Sequence, residues 1–317
     1  MEDGLSLSMN PSYMRFLTMN NYLLSEYDDN LRAIYENGFD ISGDRTGVGT
    51  RCLFGLNTTI DLSSGRVPIL TKRRVAYKSI IREVLWYISG SSNINDLEAM
   101  GSGIWTPWKS KEFTDKHDLP EGSGGYLYGH NLIHFGKDIK NPDDVGFNQL
   151  DYVINTLKQN PKSRQACFTF WMPGSGNNGI ISDFTKPALL PACHAFYSFI
   201  ASPDENGDIK NLNVAIHQRS VDTAIGLGMG NLLTGAIFLH LVAHQVGLSA
   251  NKIFHSGAHC HIYHNQFDAV EEYLKRTPID SPMMQINHHD SIYNYSDEDF
   301  EIINYQAHEK IKFEIAV

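Results

Sequence analysis

The chain has 317 residues, 42% of them hydrophobic, and a net charge of −10, which is length enough to bury one large core. The acidic balance argues against a protein that coats nucleic acid, since neutralising phosphates needs a basic surface. It leaves room for a small anionic substrate held by a few convergent arginines. No apolar stretch approaches the length needed to cross a bilayer, and the acidic start MEDGLSLSMNPSYM lacks the order of a secretory signal, so a cytoplasmic location is expected.

Residues 1–14 read as a flexible arm and 15–317 as one catalytic domain. Apolar residues recur at helical spacing from Phe16 to Glu36, with Asn37-Gly38 as the stop. Residues 51–62 alternate like a strand. Lys78 to Ser89 is almost wholly apolar and reads as a core helix ended by Gly90. Residues 101–147 mix Gly, Pro, Trp and Tyr irregularly, which suggests a functional loop. A helix is expected from Asn148 to Gln159, stopped by Pro161, followed by strand-like runs at Gln165–Trp171, Ala195–Ile200 and Asn211–His217. Leu232 to Val246 is the strongest helix, Ile262 to Lys275 another, and the tail holds short strands. Strands and helices mix without regular βαβ alternation, so the fold class is α+β.

Four scattered cysteines, Cys52, Cys167, Cys193 and Cys260, form no CxxC pair and argue against a disulfide framework or a cysteine-rich zinc site. Cys193, in Leu190-Pro191-Ala192-Cys193-His194 at the mouth of a strand, reads by itself as a buried strand-end cysteine. Gln218-Arg219-Ser220-Val221-Asp222 ends the next strand, and antiparallel pairing would bring Arg219 near Cys193, where positive charge favours a thiolate. An arginine and a serine together can also hold a phosphate. Arg45, in the glycine-rich stretch Asp44–Thr50, and Arg164, at a helix-to-strand junction, are further anion-binding candidates, each weak alone. Glu83 lies within the apolar run IIREVLWYI, as a proton carrier with a perturbed pKa would, or as a glutamate on the helix's polar edge. The run HSGAHCHIYH, His255 to His264, would put His259 and His261 on one face of a strand. No carboxylate partner or H-E-x-x-H spacing accompanies it, and no metal is predicted.

In order and spacing, the stretches DRTGVGT, KSIIREVLWYISGSSNINDL, IWTPW, YLYGH, NPKSR, LPACHAFYSF, QRSVDTAIGL, NLLTGAIFLHLVAHQVGL and HIYHNQ resemble the thymidylate synthase family, from about Tyr22 to Val317. The resemblance implies a mixed β-sheet packed with helices, with the sheet at the interface of a homodimer. It implies dUMP as substrate and 5,10-methylenetetrahydrofolate as co-substrate. Cys193 matches the nucleophile, and Arg45, Arg164, Arg219 and Ser220 match phosphate binders, with Arg164 contributed across the interface. His261 and Tyr263 match residues holding the deoxyribose 3′-hydroxyl, Glu83 the proton-handling glutamate and Tyr128 the tyrosine that helps remove the C5 proton. On the folate side stand Trp105, Asp222, Arg73, Gly226 and the tail ending at Val317.

The chain departs from the family pattern at Gln165, where an arginine is usual, at Ala76 in place of a histidine, and at Arg73 in place of a lysine. Around Gly226–Asn231, counting forward from Gln218 puts Gly230 at the base-reading asparagine, whereas counting back from His240 puts Asn231 there. One inserted residue reconciles the counts, and Asn231 is assigned as the base reader, favouring dUMP over dCMP. Hydride transfer, giving dTMP and dihydrofolate, is the expected final step. A hydroxymethylase, in which water quenches the intermediate, is the alternative, and a non-catalytic nucleotide-binding homologue is a remote one.

Overall fold

Helix α1 (Ser25–Asn37) buries Tyr27, Leu31 and Ile34, the four-then-three spacing of an amphipathic stripe. A computed structural model describes residues 21–43, 46–141, 143–175 and 186–316. The arm expected at 1–14, and the first residues of the helix expected from Phe16, lie outside these. Residues 21–24 form a turn, so α1 starts at Ser25.

The centre is a six-stranded sheet in the order β1 (Phe39–Ile41), β2 (Thr50–Asp61), β6 (Ser249–Tyr263), β5 (Ile209–Asp222), β4 (His194–Pro203), β3 (Cys167–Thr169). The β5–β6 pair is parallel and the other four pairs are antiparallel, so the sheet is mixed. The parallel pair needs a crossover. It is made by a π-helix (Thr223–Asn231) running directly into α7 (Leu232–Gln245). The helical stretch Thr223–Gln245 does reach the length and apolarity of a membrane span, contrary to the sequence reading, but 72% of its apolar window is buried inside the protein. It is a core helix, apolar all round because it is covered all round.

Helix α2 (Tyr77–Ile88) buries Ile80, Ile81, Val84 and Leu85 and gives way at Ser89-Gly90, where Gly90 adopts φ +78°, a conformation that favours glycine. The 101–147 stretch carries short helices, α4 (Lys111–Asp115) and α5 (Tyr128–Ile133), after α3 (Ile94–Ala99). Helix α6 (Gln149–Gln159) is capped by the Asn148 side chain. The helix expected over Ile262–Lys275 is corrected. Ile262 and Tyr263 finish β6, paired with Arg51 and Thr50, and the α-helix, α8, spans Phe267–Lys275. Pairing to a neighbouring strand, a non-local interaction, overrides the local helical pattern there. Strands β7 (Met283–Ile286) and β8 (Phe300–Ile303) form a separate two-stranded sheet.

Candidate active site

Antiparallel pairing of β4 and β5 sets His194 opposite Gln218, and so brings Cys193 beside Arg219. The Arg219 amide donates to the Cys193 carbonyl at 3.1 Å. Its guanidinium folds back over the same turn: Nε donates to the Ala192 carbonyl at 2.9 Å, Nη2 to the Pro191 carbonyl at 2.6 Å, and Nη2 lies 3.7 Å from the Cys193 sulfur. The Trp171 ring sits 5.1 Å from the guanidinium carbon. A cation at this distance favours the thiolate, the reactive form of cysteine. At the other three cysteines burial works the opposite way, pushing the Cys260 thiol up to about 11 and raising those of Cys52 and Cys167.

Next to this pair is a cluster of aromatic side chains around one carboxylate. The Cys193 amide donates to the Tyr128 hydroxyl at 3.0 Å. The Tyr128 ring stacks on Tyr87 with centroids 4.8 Å apart. Burial, and then the neighbouring Cys193 charge, raise the Tyr128 phenol well above its ordinary value. Trp105 Nε1 donates to Glu83 Oε1 at 2.7 Å, and Tyr87 hydrogen-bonds the same carboxyl. Burial raises Glu83 above the ordinary carboxylate range, against the pull of those two hydrogen bonds, as suits a group that must carry a proton near neutrality.

Asp222 and Asn231 stand at the two ends of the π-helix. Asp222 Oδ1 caps it by accepting from the Ile225 amide at 3.0 Å, and Oδ2 accepts from Gln266 at 3.3 Å. Burial raises this carboxyl too. Asn231 is hydrogen-bonded to His194, whose Nδ1 is 2.6 Å from the Tyr197 hydroxyl. Burial lowers His194 to about 4, so the imidazole is neutral at physiological pH. In the parallel register Asp222 lies opposite His261 and Ser220 opposite His259. The His261 and Tyr263 rings meet edge-on at 5.0 Å.

The structure thus gathers Cys193, Arg219, Tyr128, Glu83 and Trp105 in one contact network. It sets Ser220, Asp222, Asn231, His261 and Tyr263 on the adjoining ends of β5, β6 and the π-helix, with Gly226 inside that helix facing the Asn231 amide. Arg73 is buried. It donates to the Ala224 carbonyl at 3.1 Å and lies over the Phe313 ring at 4.3 Å, while its Nε has no hydrogen-bond partner among the described residues. Arg164 is exposed just before the edge strand β3, beside an exposed Gln165. Ala76 takes the N-cap of α2 without a side-chain hydrogen bond. Arg45 and Val317 lie outside the described residues. His255 is bonded to Gln218 at 2.7 Å and His259 to His261 at 3.2 Å. Among the described residues no group of three or more His, Cys, Asp and Glu side chains could hold a metal ion.

Sequence reasoning passed over Tyr87, His194 and Trp171. Tyr87 could have been found, since it stands four residues after Glu83 on a helix and so shares its face. His194 and Trp171 gain their roles only from strand register and packing.

A thiol beside a guanidinium, with a half-buried carboxyl and a tyrosine next to it, is the set of groups that enzymes of the nucleophilic-cysteine class use. The family model described as Thymidylate synthase matches residues 25–317, and the chain belongs to the thymidylate synthase family. It is therefore a folate-dependent enzyme of one-carbon transfer, from a family that uses methylenetetrahydrofolate and dUMP.

Proposed function

We propose that this enzyme converts dUMP to dTMP, with 5,10-methylenetetrahydrofolate as carbon donor and dihydrofolate as second product. The observation that carries the nucleophilic step is the 3.7 Å approach of Arg219 to the Cys193 sulfur. The thiolate forms a bond to C6 of the pyrimidine, and the C5–C6 electron pair moves to O4 as an enolate. C5 then bonds to the methylene carbon. Loss of the C5 proton re-forms the enolate, whose electron pair breaks the bond from the methylene carbon to the folate nitrogen. Tetrahydrofolate leaves, and an exocyclic methylene remains on a base still bonded at C6 to Cys193. Addition of hydride to that methylene re-forms the C5–C6 double bond and returns the C6–S electron pair to the thiolate. Glu83, with its raised carboxyl, moves a proton at O4, and Tyr128, hydrogen-bonded to the Cys193 amide, serves the C5 proton. Arg219 and Ser220, with Arg45 and Arg164, hold the phosphate, His261 and Tyr263 the 3′-hydroxyl, and Asn231 reads O4 and N3.

The folate supplies the carbon and, in this reading, the hydride that reduces the methylene to methyl. Trp105, Asp222, Gly226 and Arg73 would hold it. Arg73 suits an anionic molecule, being a buried guanidinium whose Nε finds no partner among the described residues. What favours hydride over water is the C-terminal tail. Arg73 lies over Phe313, and Gln266, which holds Asp222, also donates to the Glu314 carbonyl at 3.4 Å. The tail thus touches the residues assigned to the folate, an arrangement that would limit the entry of water once the folate is bound.

The active unit in this proposal is a cytoplasmic homodimer. Phe196, Ile200 and Phe254 share one face of the sheet by register and are 43%, 49% and 45% exposed. Such an apolar patch suits a partner surface. Arg164, next to β3, would cross to the partner's phosphate site. Four free cysteines suit a reducing compartment.

The test is an assay with dUMP and methylenetetrahydrofolate that follows dihydrofolate by absorbance and the nucleotide by mass. A methylated nucleotide formed in step with dihydrofolate supports the synthase. A hydroxymethylated nucleotide without dihydrofolate replaces it with the hydroxymethylase.

A further inference from the structure

The π-helix, Thr223–Asn231, covers the stretch in which the two counts of the sequence differ by one residue. An i→i+5 turn holds one residue more than an α-helical turn. Glycines recur at every second position, Gly226, Gly228 and Gly230, and none of the three has a positive φ. What they provide is therefore space. A Cβ on Gly228 would stand 2.2 Å from the Tyr27 hydroxyl and 2.7 Å from its ring Cζ, and one on Gly230 would stand 2.6 Å from Ile80 Cδ1. Tyr27, on α1, is 1% exposed and has no room to yield. Ile80 lies on α2 one turn before Glu83. Gly226 faces the other way, its Cβ position 3.4 Å from the Asn231 amide nitrogen.

We propose that Tyr27 is a positioning residue. Its hydroxyl end wedges against Gly228, fixes the register of the wide turn, and so fixes the direction of the Asn231 amide at the end of that turn. The inference rests on the reading of Asn231 as the group that contacts the base. A slip of one residue into α-helical register turns Asn231 by about 100° around the helix axis relative to Asp222. The direction of the amide matters because uracil presents an acceptor at O4 and a donor at N3, whereas cytosine presents the reverse. The wedge therefore sets the preference for a keto-pyrimidine deoxynucleotide over an amino-pyrimidine one.

The test is equilibrium binding of dUMP and dCMP, without folate, to the full chain by calorimetry. It uses wild type, Asn231→Asp, Gly228→Ala, Tyr27→Phe and the pair Gly228→Ala/Tyr27→Leu. Asn231→Asp is expected to move the preference toward dCMP. Gly228→Ala is expected to lower the dUMP:dCMP affinity ratio about tenfold, the size of one well-formed base contact. Adding Tyr27→Leu, which withdraws the ring end so that the introduced methyl group takes over its space and its contact, is expected to restore it. An unchanged ratio in Gly228→Ala, or a lowered ratio that Tyr27→Leu does not restore, overturns the wedge. If Gly228→Ala does not fold, Tyr27→Phe decides: a lowered ratio supports the wedge and an unchanged one overturns it. An Asn231→Asp variant with the wild-type ratio sinks the base-reading role of Asn231 and this inference with it. An effect of Asn231→Asp with none of Gly228→Ala sinks the wedge alone.

Discussion

The Arg219 guanidinium holds the Ala192 and Pro191 carbonyls at 2.9 and 2.6 Å while lying 3.7 Å from the Cys193 sulfur. One side chain both shapes the Cys193 turn and supplies the charge beside its sulfur. Arg219→Ala is therefore expected to lower kcat/KM by about 10²–10³-fold, the range for loss of a preorganised electrostatic contact. It is also expected to slow iodoacetamide labelling of Cys193 at neutral pH, read by mass spectrometry. Labelling at the wild-type rate would show that the charge does not activate the thiol.

Glu83 is raised by burial in the folded chain. Between its ordinary value near ~4.3 and the raised folded value, the native state binds more protons than the unfolded chain, so this group's contribution makes stability fall as pH rises through that window. Glu83→Gln keeps an acceptor for Trp105 and removes the titration. Turnover is expected to fall by about 10²–10⁴-fold, while the thermal midpoint at neutral pH rises relative to its value at pH 4. A variant that loses both activity and midpoint would point to a structural role for the carboxylate.

If Arg164 completes the partner's site, two inactive variants complement each other. Cys193→Ser mixed in equal amount with Arg164→Ala, after reversible dissociation, gives heterodimers in half the molecules, each with one intact site. Recovery of about a quarter of wild-type activity is expected from that symmetry. No recovery from a mixture proven to contain heterodimer would place Arg164 outside the partner's site.

Lys72 and Asp28 form a buried ion pair at 2.8 Å, with side chains 6% and 12% exposed. The Tyr273 hydroxyl donates to Asp28 at 2.8 Å and the Tyr22 hydroxyl at 3.2 Å. Asp28→Ala strands the lysine charge and is expected to cost about 3–5 kcal/mol in urea denaturation. Asp28→Leu/Lys72→Met removes both charges and is expected to lose much less. Equal losses would mean that packing, and not the unpaired charge, sets the cost.

Local pattern sufficed where the signal was local. The apolar period wrote α1 and α2, the run from Asn148 to the stop at Pro161 gave α6, and LPACHAFYSF followed by QRSVDTAIGL helped to carry the family. Pattern failed at Ile262 and Tyr263, where pairing with β2 overrides a helical run. It also failed over 101–147, where short helices are fixed by packing and not by period.

By itself the sequence determined which groups are available: one cysteine at a strand mouth, an arginine two dozen residues on, a glutamate in an apolar helix, and an asparagine displaced by one residue. Only the tertiary structure decided how they are used. Strand register set Arg219 against Cys193, burial raised Glu83, and the space left by Gly228 and Gly230 let the π-helix pack against Tyr27 and Ile80. Distances across a sheet and the loss of water around a carboxyl are properties of packed neighbours far apart in the chain, and no local pattern encodes them.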